Sequence, residues 1–197
     1  MWKKPAEGPW MARRLNIDGD GQGDLAGHGR EHRAAFVYQI DSYRYWKARL
    51  GRDDFTYGRF GENFTVDGLA DDRVCIGDRY RIGAVVFEVT QPRVTCYRVG
   101  IRLDDPQIPA LLISHHRPGV YLRVLREGAV QAGDEIVQVA AGPATGPRSR
   151  SPRSPGRCWP GWPAGTSTSA SAARRRTTWK DATARPRGVS QRLSLPP

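Results

Sequence analysis

No apolar run in this chain approaches the ~20 residues that a membrane-spanning helix requires. The start, Met1-Trp-Lys-Lys-Pro5, is polar and lacks the apolar core of a secretory signal. Cysteine is scarce: Cys75, Cys96 and Cys158 lie far apart and form no CxxC pair, so neither a structural zinc site nor a disulfide framework is indicated. A reducing, cytoplasmic setting is the expectation. Acidic residues are scarce in one region only. From residue 143 to 197, ten Arg and one Lys face the single acid Asp181, whereas the preceding 142 residues carry 20 basic and 19 acidic side chains. The formal net charge of +11 therefore belongs almost wholly to the tail and does not mark the rest as a nucleic-acid-binding surface.

What is present before residue 143 is the alternation and turn chemistry of one mainly β domain, with enough residues to bury a core without disulfides. Arg79-Tyr-Arg-Ile82 and Ala84-Val-Val-Phe-Glu-Val-Thr90 read as strands around a turn at Gly83. Phe64-Thr-Val66, Val74-Cys-Ile76, Val120-Tyr-Leu-Arg-Val-Leu125 and Glu135-Ile-Val-Gln-Val-Ala140 are further strand candidates. From Glu31 to Leu50, apolar residues Ala35, Phe36, Ile40, Tyr43 and Trp46 recur at three-to-four spacing, which predicts an amphipathic helix with an irregularity near Tyr38. The pattern is a β-barrel-like domain with one or two helices over residues 1–142. The segment 143–197 holds nine of the fifteen prolines, has no strand or helix period, and is expected to be disordered. It reads as an out-of-frame translation, with a nucleic-acid-binding arm or a protein-interaction tail as the alternatives.

Cys96 carries the sharpest chemical signal. The strand-like run ends at Gln91-Pro92, a proline turn that presents the next side chains at a rim, and the thiol follows between Arg93 and Arg98. Cationic neighbours favour a thiolate, the form that binds metals or attacks electrophiles, while a free cysteine is also an ordinary small hydrophobe. Asp18-Gly-Asp-Gly-Gln-Gly-Asp24 begins like a calcium loop but has Gly29 where a bidentate Glu is required, so that reading fails. His28 follows on a glycine-rich loop as an anion ligand or a turn cap, and Arg33 is a candidate phosphate contact or a solvated surface residue. In Gly58-Arg-Phe-Gly-Glu-Asn-Phe64, Asn63 suits a ligand contact or a turn before a strand. His115-His116 has no further His or Cys to complete a metal site, Cys75 reads as core, and Cys158 has no supporting surroundings.

Three stretches taken in order resemble the MOSC domain, named for the C-terminal domain of molybdenum-cofactor sulfurase. They are Asp18-Gly-Asp-Gly-Gln-Gly-Asp-Leu-Ala-Gly-His-Gly29, Phe60-Gly-Glu-Asn-Phe-Thr-Val-Asp-Gly68 and Val89-Thr-Gln-Pro-Arg-Val-Thr-Cys-Tyr97. Cys75-Ile-Gly-Asp-Arg79 and Gly119-Val-Tyr-Leu-Arg-Val-Leu125 also match, and the likeness is to the bacterial subfamily of 6-N-hydroxylaminopurine-resistance-like proteins. The resemblance implies a MOSC-type β-barrel that binds the pterin molybdenum cofactor. Cys96 would be the molybdenum ligand and the catalytic residue, and His28, Arg33, Asn63 and Arg93 would join it in cofactor contacts. It implies reduction of N-hydroxylated bases or related N-oxygenated compounds, with electrons from a separate flavin or iron–sulfur protein. The alternative is a non-catalytic cofactor or sulfur carrier using Cys96. Nucleic acid is not an expected partner. The chain departs from the family pattern in three places: the first strand before the Trp-Lys-Lys-Pro segment, Arg30 where a second glycine follows His-Gly, and the Arg/Pro tail in place of a helical segment.

Overall fold

The computed structural model describes residues 2–21 and 30–143, together with the backbone of residues 177–179. Its centre is a barrel. In chain order the strands are β1 (Trp10–Ala12), β2 (Ala35–Gln39), β3 (Phe64–Asp67), β4 (Arg79–Ile82), β5 (Val85–Pro92), β6 (Val120–Arg126), β7 (Gly128–Val130), β8 (Glu135–Ala140) and β9 (Thr177–Trp179). The barrel closes in the order β2-β3-β9-β8-β4-β5-β6, and β1 pairs with β7 as a separate two-stranded ribbon. Alternation places one side chain in two inside: Tyr80 and Ile82 of β4, Val85, Phe87 and Val89 of β5, and Val120, Leu122 and Val124 of β6 share a single buried cluster. Outside, Glu88 of β5 is held by Arg79 Nε at 2.8 Å and Arg123 Nη2 at 2.6 Å from the two neighbouring strands.

β2 is the exception, because all five of its residues are buried. Ala35 and Val37 face the barrel interior, while Phe36 and Tyr38 face a second cluster with Tyr43, Trp46, Phe60, Val99, Leu103, Ile108 and Leu112. That outer cluster is built from three helices: α1 (Ile40–Leu50), α2 (Tyr97–Leu103) and α3 (Ile108–Ser114). α1 starts directly after β2 and returns the chain to β3, which pairs parallel to β2 in the register Val37↔Phe64.

The barrel and most strands match the sequence pattern, and three elements differ. Residues 31–50 are not one helix: Glu31–Arg33 is a 3-10 turn, Ala35–Gln39 is a strand, and only Ile40–Leu50 is α-helical. A strand covered on both faces loses its polar alternation, so its apolar residues merge with the spacing of the helix that follows. Val74-Cys75-Ile76 is loop, with Asp78 Oδ2 accepting from Cys75 N at 2.8 Å. A side-chain acceptor there takes the place of a strand partner. The described helices number three rather than one or two, since α2 and α3 are short turns in a segment without strand alternation. Of the tail, only Pro143 and the backbone of β9 are described; the expectations of disorder and of an out-of-frame origin otherwise fall outside the described residues.

Phe87 is fully buried and packs edge-on against Phe64, with ring centroids 5.6 Å apart. Phe87→Ala is expected to cost about 3–5 kcal/mol of unfolding free energy, read as a lowered denaturant midpoint. A loss below about 1 kcal/mol would mean that Phe87 does not centre the barrel core.

Candidate functional site

β5 ends at Pro92, which cannot donate to a ladder, and the register against β6 shifts between Val89 and Gln91. The next residue, Arg93, is caught by the start of β6: its backbone N donates to Gly119 O at 2.9 Å. Gly119 has φ +78°, and a side chain there would come within 2.7 Å of both the Phe36 ring and Val37 O, so only glycine lets the two segments approach. Arg93 is thereby turned inward. It is 3% exposed, and its guanidinium lies 4.6 Å from the centroid of the Phe36 ring. Phe36 in turn contacts Tyr121 at 5.4 Å, and the Arg33 guanidinium lies 5.6 Å from the Tyr121 ring. With the Gln91 amide assigned so that its oxygen faces Arg33, Arg33 Nε and Nη2 donate to it at 3.1 and 3.3 Å.

Cys96 stands three residues beyond Arg93 at the head of α2, in extended backbone (φ −127°, ψ 162°), half-buried, and is a free thiol. Its carbonyl accepts from Val99 N at 3.2 Å, and the preceding Thr95 hydroxyl donates to Pro109 O at 2.9 Å, which ties this junction to α3. Val99, Gly100 and Leu103 anchor the other side of α2 in the outer core.

Asn63 clamps Phe36 from both ends of its peptide. Phe36 N donates to Asn63 Oδ1 at 2.9 Å, and Asn63 N donates to Phe36 O at 2.8 Å. The remaining amide hydrogens reach outward, Nδ2 donating to Asp20 Oδ2 at 2.7 Å, where Lys3 Nζ also donates at 2.9 Å. Burial alone would raise the Asp20 carboxyl, but the Lys3 charge and the two donors outweigh it and hold the group below its ordinary range. Burial likewise pulls the Lys3 ammonium down, against the attraction of Asp20. Next to Asn63, Glu62 is buried, and its Oε1 accepts from Gly58 N at 2.7 Å, Thr65 Oγ1 at 2.9 Å and the Tyr43 hydroxyl. A cavity of about 540 Å³ opens here, lined among others by Lys3, Asp20, Glu62, Asn63 and Thr65.

Arg33, Asn63 and Arg93 thus converge on Phe36 and its neighbour Tyr121, and Cys96 follows on the same segment as Arg93. His28 lies outside the described residues. Lys3, Asp20, Glu62 and Phe36 belong to the same network although sequence reasoning passed over them. Asp20 and Glu62 sat in the Asp-Gly-Asp and Gly-Glu-Asn stretches, and the signal was there; Phe36 was hidden inside an expected helix. His115 bonds Tyr45 instead of a metal partner, its Nδ1 2.7 Å from the hydroxyl. Among the described residues no group of three or more His, Cys, Asp or Glu could hold a metal ion. Cys75 is half-buried in its loop, where the sequence reading placed it in the core.

Residues 24–137 match the MOSC domain. The chain belongs to the MOSC domain family. It is 36% identical over 142 residues to the uncharacterized protein YflK of Bacillus subtilis strain 168, covering 72% of this chain and 64% of that protein. It is 33% identical to a protein named reductase from Gibberella moniliformis, covering 69% of this chain and 25% of that protein. It is 32% identical to protein YiiM of Escherichia coli K12, covering 66% of this chain and 59% of that protein. The chain therefore spans less than two thirds of the length of these relatives. Among solved structures, YiiM from Geobacillus stearothermophilus superposes with a TM-score of 0.60 at 32% identity over 69% of this chain and 63% of that one. YiiM from Escherichia coli gives 0.63 at 29% identity over 72% and 67%. These likenesses are consistent with the hydroxylaminopurine-resistance-like subfamily. No helix among the described residues is long and apolar enough to cross a membrane.

In this MOSC domain a buried carboxylate supports the Arg93 turn from behind. Asp71 is 5% exposed; its Oδ1 accepts from Gly119 N at 2.9 Å and its Oδ2 from the Gln39 amide. Burial pushes the carboxyl up to about 6, beyond what the Gly119 and Gln39 bonds and the Arg117 charge offset. The folded value lies above the ordinary 3.8, so the folded state holds the extra proton and this contribution to stability is complete below about pH 4 and lost as pH rises through about 6. Unfolding free energy measured at pH 4 and pH 7 should fall by on the order of 2–3 kcal/mol more in the wild type than in Asp71→Asn. Equal pH dependence in the two proteins would show that Asp71 titrates normally.

Proposed function

We propose that this protein binds the pterin molybdenum cofactor at Cys96 and reduces N-hydroxylated bases or related N-oxygenated compounds, with electrons supplied by a separate flavin or iron–sulfur protein. The observation that carries the reading is the free, half-buried Cys96 on the segment that leaves β5 at Pro92 and is fixed by the inward-turned Arg93. The donor set fits the cofactor. A thiolate is a soft ligand suited to molybdenum beside the cofactor's dithiolene sulfurs. The guanidinium groups of Arg33 and Arg93 and the Asn63 amide suit a pterin phosphate and its ring edge. Lys3 lies on the far side of Asn63, its charge paired with Asp20.

When bound, the cofactor supplies two-electron chemistry that takes up the oxygen of an N–O bond. The chain's own part is to present the thiol and to hold it still. The Gly119 carbonyl and the Phe36 ring fix Arg93, the Pro109 carbonyl fixes Thr95, and Cys96 follows directly on Thr95. Arg93 also brings a permanent positive charge into a low-dielectric setting, where it stabilises an anionic group next to it more strongly than it would in water. The name of the Gibberella moniliformis relative supports a reductase over a passive carrier.

After expression in a host that makes the cofactor, purified protein should contain molybdenum, and Cys96→Ala should lose most of it at unchanged thermal stability. Reduction of 6-N-hydroxylaminopurine with a supplied electron donor, present in the wild type and lost in Cys96→Ala, separates an enzyme from a carrier. Negligible molybdenum in both proteins would overturn the reading.

A further inference from the structure

The backbone N–H of Arg93, three residues before Cys96, is held by Gly119 O at 2.9 Å, and Gly119 is in turn held from its other side. Its own N–H donates to Oδ1 of the buried Asp71 at 2.9 Å, and Asp71 Oδ2 accepts from the amide of Gln39, the last residue of β2. One carboxylate therefore joins the end of β2 to the start of β6 and, through Gly119, to the segment that carries Cys96. Gly119 transmits this hold because it has no room to turn: besides meeting Phe36 and Val37, a side chain there would come within 2.8 Å of the Tyr38 ring. An amide at position 71 would accept from Gly119 N without the cost of burying a charge, so stability does not require a titratable group here.

Three charged or titratable groups face Asp71. Arg117, in the turn before β6, favours the carboxylate, and Asp72, on the same loop, opposes it. The Tyr38 phenol of β2 is kept neutral by burial and by the Asp71 charge, against the Trp46 bond and the Arg93 charge. Ionisation of Asp71 then acts on the fold and on the Gly119 bond in opposite directions. Burial favours the protonated form, so unfolding free energy falls as pH rises through about 6. A charge-assisted bond is roughly twice as strong as a neutral one, so Gly119 is held harder over the same range.

We infer that Asp71 is a positioning residue for the site: acting through Gly119, its carboxylate sets how firmly the Arg93–Cys96 segment is held, and ionisation tightens that hold. The inference rests on the proposed function only for what the segment binds.

Cofactor-free, 15N-labelled protein is followed by NMR from about pH 5 to about pH 8. The Gly119 amide proton is expected to move downfield with a midpoint of about 6, and the Arg93 amide to follow with the same midpoint. Protection of the Arg93 amide from hydrogen exchange, corrected for its intrinsic rate, should rise roughly fivefold while the denaturant midpoint falls. Asp71→Asn, which keeps the Oδ1 acceptor and lets Gln39 turn its amide to match, should show neither trend. A role in stability alone would make protection at Arg93 fall together with the denaturant midpoint. That result, a Gly119 or Arg93 amide unchanged through this range, or a pH dependence that persists in Asp71→Asn overturns the inference. In protein that loads molybdenum, Asp71→Ala should retain several-fold less of the metal and Asp71→Asn should retain it; equal loading of a folded Asp71→Ala also overturns the inference. If Asp71→Ala does not fold, the amide measurements carry the test. Wild-type protein that never loads molybdenum sinks the proposed function alone, and the amide measurements still decide the role of Asp71.

Discussion

The site is organised by the double hydrogen bond between Asn63 and Phe36. One amide side chain and one backbone N–H fix both ends of the Phe36 peptide, and so lock the loop before β3 to the start of β2. Everything proposed to bind is then referred to that lock. On one side of it the Phe36 ring seats the Arg93 guanidinium; on the other the Asn63 Nδ2 group reaches Asp20 and, through Asp20, Lys3. Three segments far apart in sequence, around residues 3–20, 58–65 and 91–96, meet through one asparagine.

The lock works because β2 is enclosed. A strand with one wet face could not hold an aromatic ring inside a helical layer and an aliphatic pair inside the barrel at once. The three helices supply the outer cover, and burying both faces of β2 leaves its peptides out of water, where an unpaired N–H would be costly. Asn63 answers that need and serves the site with the same atoms. Arg93 is handled similarly: the Phe36 ring face offsets part of the cost of desolvating its charge, and the Gly119 carbonyl fixes its backbone.

The sequence made most of the barrel legible, because β4 and β6 alternate and β4, β5, β6 and β8 are rich in β-branched and aromatic residues and are set off by glycine or acidic turns. It misled at β2, where burial on both faces erased the alternation, and at Val74–Ile76, where three apolar-looking residues lie in a loop held by Asp78. Arg33, Asn63, Arg93 and Cys96 were found as members of special loops, which is a statement about local chemistry. That Asn63 and Arg93 meet on Phe36, with Arg33 on its neighbour Tyr121, was not legible, since convergence is set by strand register and by the close approach at Gly119. Glu62 and Asp20 stood in plain view within the same motifs, but acidic residues next to glycine read as turn formers until a fold shows them buried.

The central claim is that Cys96 is a ligand to molybdenum, and X-ray absorption at the molybdenum edge tests it most directly. Loaded wild-type protein is predicted to show one more sulfur in the metal's shell than loaded Cys96→Ser, with an oxygen taking that place in the variant. An identical sulfur shell in the two proteins would contradict the account.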